Sequence, residues 1–112
     1  MRTHVKFEFE LSKPEAYAGE LENIVSDARI ALESADIPGL TTKETHQKRD
    51  GKLGAEWLPV VTALLSAPAV LLAINVVRDL LKEKIKKIKK LSIKITTEQG
   101  EVIINSENVD DK

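Results

Sequence analysis

The alternation of apolar and polar positions sets the first element. Val5, Phe7, Phe9 and Leu11 fall on one side of an extended chain and His4, Lys6, Glu8 and Glu10 on the other, which predicts a half-buried strand over residues 3 to 11. Ser12 stands three residues before Glu15, with Pro14 between them. This is a capping box with proline in the first helical turn, where its missing N–H costs nothing. The period then lengthens to that of a helix. Tyr17, Leu21, Ile24, Val25, Ala28, Leu32 and Ala35 form one stripe, closed by Ile37, Pro38 and Gly39. Residues 40 to 49, LTTKETHQKR, are threonine-rich and polar on both faces, the pattern of an edge strand or an ordered loop. Asp50-Gly51 and Gly54 mark bends. Near the end, Leu91, Ile93 and Ile95 alternate with Ser92, Lys94 and Thr96; Glu98, Gln99 and Gly100 then supply a turn before Val102 and Ile104 resume the alternation. This predicts a β-hairpin, followed by a polar, acidic tail.

Between these elements lies the run Trp57 to Val77, twenty-one residues without a charged side chain. Its apolar pattern continues through Leu80, Leu81, Ile85, Ile88 and Leu91, while Arg78, Lys82, Lys86, Lys89 and Lys90 line another side. The spacing predicts one helical tract over 57 to 90. Pro68 would delete a helix hydrogen bond and clash with the Leu64 carbonyl, so the tract kinks or breaks there, with Ser66 as an N-cap for a second helix. The predicted order is β, α, edge β, long broken α, β, β. That is an α+β class with a small mixed or antiparallel sheet, in a single domain over residues 1 to 112 divided as 1–56, 57–90, a hairpin over 91–106 and a tail over 107–112.

As a straight helix the charge-free run would reach about 30 Å, the thickness of a bilayer core. A single pass, however, would separate strands that need one another, and if Pro68 turns the chain back each arm reaches only about 15 Å. The expected role of the run is therefore association. Trp57, Leu58, Val61, Leu64, Leu65, Val70, Leu72 and Ile74 are its interaction surface, covered in a homo-oligomer or by a partner. Insertion of 57–77 into a membrane, with permeabilisation, is the second reading; Trp57 at one boundary and the lysines at the other favour it.

Charge is unevenly placed. Residues 1–56 carry eight basic and eleven acidic side chains, net −3; residues 57–91 carry seven and two, net +5; the remainder carries two and five, net −3. The basic middle segment, Arg78, Lys82, Lys86, Lys89 and Lys90, could contact phosphates or anionic lipid headgroups. It lacks neighbouring aromatics, and Asp79 and Glu83 interrupt it, so specific nucleic-acid recognition is not expected. There is no cysteine, which excludes disulfides and thiolate ligands. The N-terminus alternates and has no continuous apolar core of a signal sequence, so the expected compartment is the cytoplasm, with membrane association under the second reading.

Catalytic chemistry is poorly represented. His4 lies on the polar side of the first strand and His46 in a polar stretch, neither in register with a second histidine. Asp27, Glu33 and Asp36 lack metal-ligand spacing, and Lys52 is not preceded by a phosphate-binding loop. No enzyme activity, metal or cofactor is expected.

The stretch from Asp50 to Asn105, DGKLGAEWLPVVTALLSAPAVLLAINVVRDLLKEKIKKIKKLSIKITTEQGEVIIN, resembles the effector-associated constant component family of bacterial conflict systems. The likeness lies in the order of parts: a Gly-containing lead-in, a small-residue-rich apolar helix, a basic helix end, and a hairpin with a polar-Gly-polar turn. Many relatives carry consecutive glycines where this chain has Ser66, Ala67 and Pro68. The resemblance implies a non-enzymatic adaptor or scaffold in antiviral defence, coupled to an effector protein such as a protease. It transfers no catalytic residues.

Overall fold

A computed structural model describes residues 2–11, 14–48, 57–87 and 91–105, leaving the side chains of 11–21, 46–48, 57, 58, 86 and 87 undescribed. Among the described residues five strands and two helices follow one another as β1 (Arg2–Leu11), α1 (Pro14–Ser34), β2 (Thr41–Lys48), β3 (Trp57–Ser66), α2 (Val70–Lys87), β4 (Leu91–Thr97) and β5 (Gly100–Ile104), with a 3₁₀ turn, Ala67–Ala69, leading into α2. The strands form one sheet in the order β2-β3-β1-β4-β5, and every neighbouring pair is antiparallel. The chain is α+β, as its pattern predicts, and β2 is an edge strand.

One expectation is overturned. Residues 57–66 are not the first half of a helix but an inner strand, paired with β2 on one side and β1 on the other. An uninterrupted apolar run does not distinguish a buried strand from a buried helix. Here the β-branched Val60, Val61 and Thr62 suit a pleated surface, and the sheet needs a strand between β1 and the polar β2. Pro59 stands opposite His46 of β2 but beyond the end of the β1 ladder, which stops at Glu8 opposite Val60, so its missing N–H removes nothing on the β1 side. The break at Pro68 is where the pattern places it. Ser66 is extended (φ −69°, ψ 144°) and is the N-cap residue, although its side chain makes no capping hydrogen bond. Pro68 falls in the first turn, where a missing donor is harmless.

Register explains the core. Phe7 stands opposite Val61 on one side and Ile95 on the other, and Phe9 stands opposite Ile93, so one sheet face presents Val5, Phe7, Phe9, Val61, Ala63, Leu65, Ile93 and Ile95, all fully buried. Both helices pack on this face. From α1 come Ile24, Val25, Ala28 and Leu32; from the 3₁₀ turn and α2 come Ala69, Ala73, Val77, Leu81 and Ile85. Helix α1 ends where Asp36 adopts φ 53° and Gly39 φ 72°, left-handed conformations that turn the chain back. The Arg2 guanidinium donates to the Gly39 carbonyl at 2.7 Å and ties this corner to β1. Around the rim, Arg29 bridges Glu33 and Glu44, and Lys84 meets Asp27 at 3.2 Å between the helices. These exposed pairs contribute little each; burial of the apolar face carries the fold. The capping box at Ser12 lies outside the described residues.

Candidate functional site: a groove between the second helix and the terminal hairpin

Among the described residues no helix covers the second sheet face. By register it presents His4, Lys6 and Glu8 from β1, Val60, Thr62 and Leu64 from β3, Lys94 and Thr96 from β4, and Glu101 and Ile103 from β5. Lys6 and Glu8 pair at 3.1 Å. Among the described residues this face shows no aromatic side chain on which a base could stack; charges and hydroxyls are interspersed with the buried Val60, the half-buried Leu64 and the exposed Ile103.

The apolar groove is elsewhere. The 3₁₀ turn and the first turns of α2 lie against the β4–β5 turn and enclose a groove of about 610 Å³, lined by Val70, Leu71 and Ile74 on one side and by Glu98, Glu101 and Val102 on the other. Its hairpin wall is fixed locally. The Gln99 N–H donates to the Thr97 hydroxyl oxygen at 3.1 Å, and Gly100 adopts φ 135°, a conformation open to glycine and strained for other residues. Lys94 meets Glu101 at 3.2 Å across the hairpin. Its helix wall follows from the buried row Ala69, Ala73, Val77, Leu81 and Ile85. Steps of four residues advance about 40° around a helix, so at the start of α2 the neighbouring leucines face outward. Leu71 is 70% exposed and Leu72 54%, while Val102 on the edge strand is 47% exposed.

The structure divides the predicted interaction surface. Val61 and Leu65 are intramolecular core, fully buried. Leu64 is half-buried on the helix-free face, so it shares no surface with Val61 and Leu65; the backbones of Trp57 and Leu58 lie in β3, and their side chains are outside the described residues. Val70 and Ile74 pack partly against the core and line the groove. Leu72 is exposed beside them. Of the basic stripe, Arg78 and Lys82 are half-buried on α2; Lys86 is in α2 with its side chain undescribed, and Lys89 and Lys90 lie outside the described residues. Pattern reading misses Leu71, Val102 and Glu98. The first is hidden in a continuous apolar run, and the other two meet α2 only through the fold.

Among the described residues no group of His, Asp and Glu could hold a metal ion, and no helix is long and apolar enough to cross a membrane. The expected insertion of 57–77 as a helical elbow is corrected, because its first half is a sheet strand.

No protein-family model matches the chain, and no curated protein matches it. Solved structures do. An amidase of the hydantoinase/carbamoylase family from Burkholderia phymatum aligns with a TM-score of 0.54 at 9% identity over 93% of this chain. The chain spans only 30% of that amidase. A de novo designed protein with ferredoxin fold, solved by NMR in solution, aligns with a TM-score of 0.54 at 12% identity, over 88% of this chain and 85% of its own. At these identities the likeness shows the fold alone: a ferredoxin-like β-α-β-β-α-β unit, extended here by β5 as a fifth strand.

Proposed function

We propose that the protein is a docking module, the non-enzymatic adaptor or scaffold of a bacterial conflict system that the resemblance implies, acting in the cytoplasm and coupling to an effector protein. The observation that carries this reading is the exposure of Leu71 and Leu72 next to a groove of about 610 Å³. Two adjacent leucines left in water forgo about 1.5 to 3 kcal/mol each relative to burial. Exposed apolar side chains beside a concavity are the usual signature of a surface that another protein covers. On the hairpin wall Glu98 supplies a charged group that can orient a partner.

The test is functional. Leu71→Glu together with Leu72→Glu is expected to leave the fold intact by circular dichroism, abolish co-purification of the effector encoded with this protein, and abolish protection against phage in cells carrying the intact system. A folded double variant that retains both activities overturns the reading.

A further inference from the structure

We infer that the groove is the contact between two copies of the chain related by a two-fold axis, with Leu71 of each copy seated in the groove of the other and Glu98 of each facing Lys82 and Arg78 of the other. The inference deepens the docking-module reading and rests on it: it names the first partner as the chain itself.

The argument is the order of chemistry along α2. At the hairpin end the groove carries the acidic Glu98, and its middle is apolar, with Val70, Leu71, Ile74 and Val102; the Glu101 carboxylate is taken up by Lys94 on the other sheet face. On the same side of the helix, Arg78 follows Ile74 by four residues and Lys82 follows by eight, so the basic groups continue the groove away from the hairpin. From Leu71 to Lys82 is about 16 Å of helix. A two-fold axis across the middle of this strip reverses it, laying the acidic end of each copy on the basic end of the other and apolar on apolar. A closed dimer requires such self-complementarity, and a strip of one charge sign would repel itself. Arg78 is half-buried on this side of α2, and its buried Nε has no hydrogen-bond partner among the described residues, so the guanidinium has donor capacity that an arriving carboxylate can use. The strip is smaller than the roughly 800 Å² per partner of a standard interface, so the dimer is expected to be weak, with a dissociation constant on the order of micromolar.

Sedimentation velocity of the full chain from roughly 5 to 300 µM brackets such an affinity. Glu98→Lys and Lys82→Glu each place like charges together twice in a homodimer, and each variant alone is expected to self-associate at least about tenfold more weakly than wild type. Mixed in equal amounts, the two variants present opposite charges at both contacts, so a heterodimer of near wild-type affinity is expected. Leu71→Glu, at an exposed position, is expected to be a folded monomer. A wild-type chain that stays monomeric throughout overturns the inference, leaving the groove to a foreign partner or to residues 106–112. Wild-type association that the single variants do not weaken, or that mixing does not restore, also overturns it and moves self-association to another surface; the docking-module reading is judged separately, by effector binding of the leucine variants.

Discussion

Strand β3 and the first half of helix α2 come from one charge-free run, yet they bury their side chains by different rules. In β3 the inward residues Val61, Ala63 and Leu65 alternate with Thr62 and Leu64 on the other face, and the strand lies between two neighbours. In α2 the buried residues recur every fourth position, from Ala73 to Ile85. A strand has two faces and an inner position in which both can be apolar. A helix on the sheet has one covered row, and apolar residues off that row are left outside. The excess hydrophobicity of the run is therefore absorbed by the fold before Pro68 and exposed as Leu71 and Leu72 after it. Its first half is structural, and the surface available to a partner is in the second.

Substitutions break or sharpen this contrast in order of size. Leu65→Glu places a carboxylate in the fully buried face of β3 and is expected to unfold the protein, a cost above about 5 kcal/mol. Leu72→Glu, a similar change seven residues on, is expected to alter stability by less than about 0.5 kcal/mol. Equal midpoints for the two in a urea titration would refute the division between core strand and exposed helix. Next in size is Phe7→Ala, opposite Val61 and Ile95, which is expected to cost about 3 to 5 kcal/mol. Glu8→Ala on the other face is expected to be nearly neutral, and thermal unfolding of the pair checks the strand register. Ala73→Leu forces a larger side chain into the buried row of α2 and is expected to cost about 1 to 3 kcal/mol; an unchanged melting temperature would show that the start of the helix stands off the sheet. The smallest effect is expected from removing the Lys84–Asp27 pair, whose partners are 34% and 45% exposed. A double-mutant cycle should return at most about 1 kcal/mol, falling as salt is added.

The leucine pair also shows what can be inferred from a hydrophobic pattern. Leu65 and Leu72 look equivalent in the sequence, and both belong to the predicted association surface. Only register separates them: Leu65 stands opposite Thr3 on the helix-covered face, whereas Leu72 lies off the buried row. The groove is a stronger case. Val102 and Leu71 are thirty-one residues apart and become neighbours because α2 starts beside the β4–β5 turn.

By itself the sequence determined the elements whose patterns are periodic: β1 by its alternation, α1 by its stripe, the terminal hairpin by alternation around Gly100, and the break at Pro68 by the chemistry of proline. Those signals are local, since side-chain spacing and a missing N–H act within a few residues. Only the tertiary structure decided that residues 57–66 are a strand, that Val61 and Leu65 are core, and that the outward leucines of α2 share a groove with the hairpin. A uniformly apolar run satisfies burial equally as strand or helix. Its conformation is set by the vacancy it fills, here the place between the edge strand β2 and the alternating β1, where a strand satisfies the backbone hydrogen bonds of both neighbours and a helix would leave them unpaired.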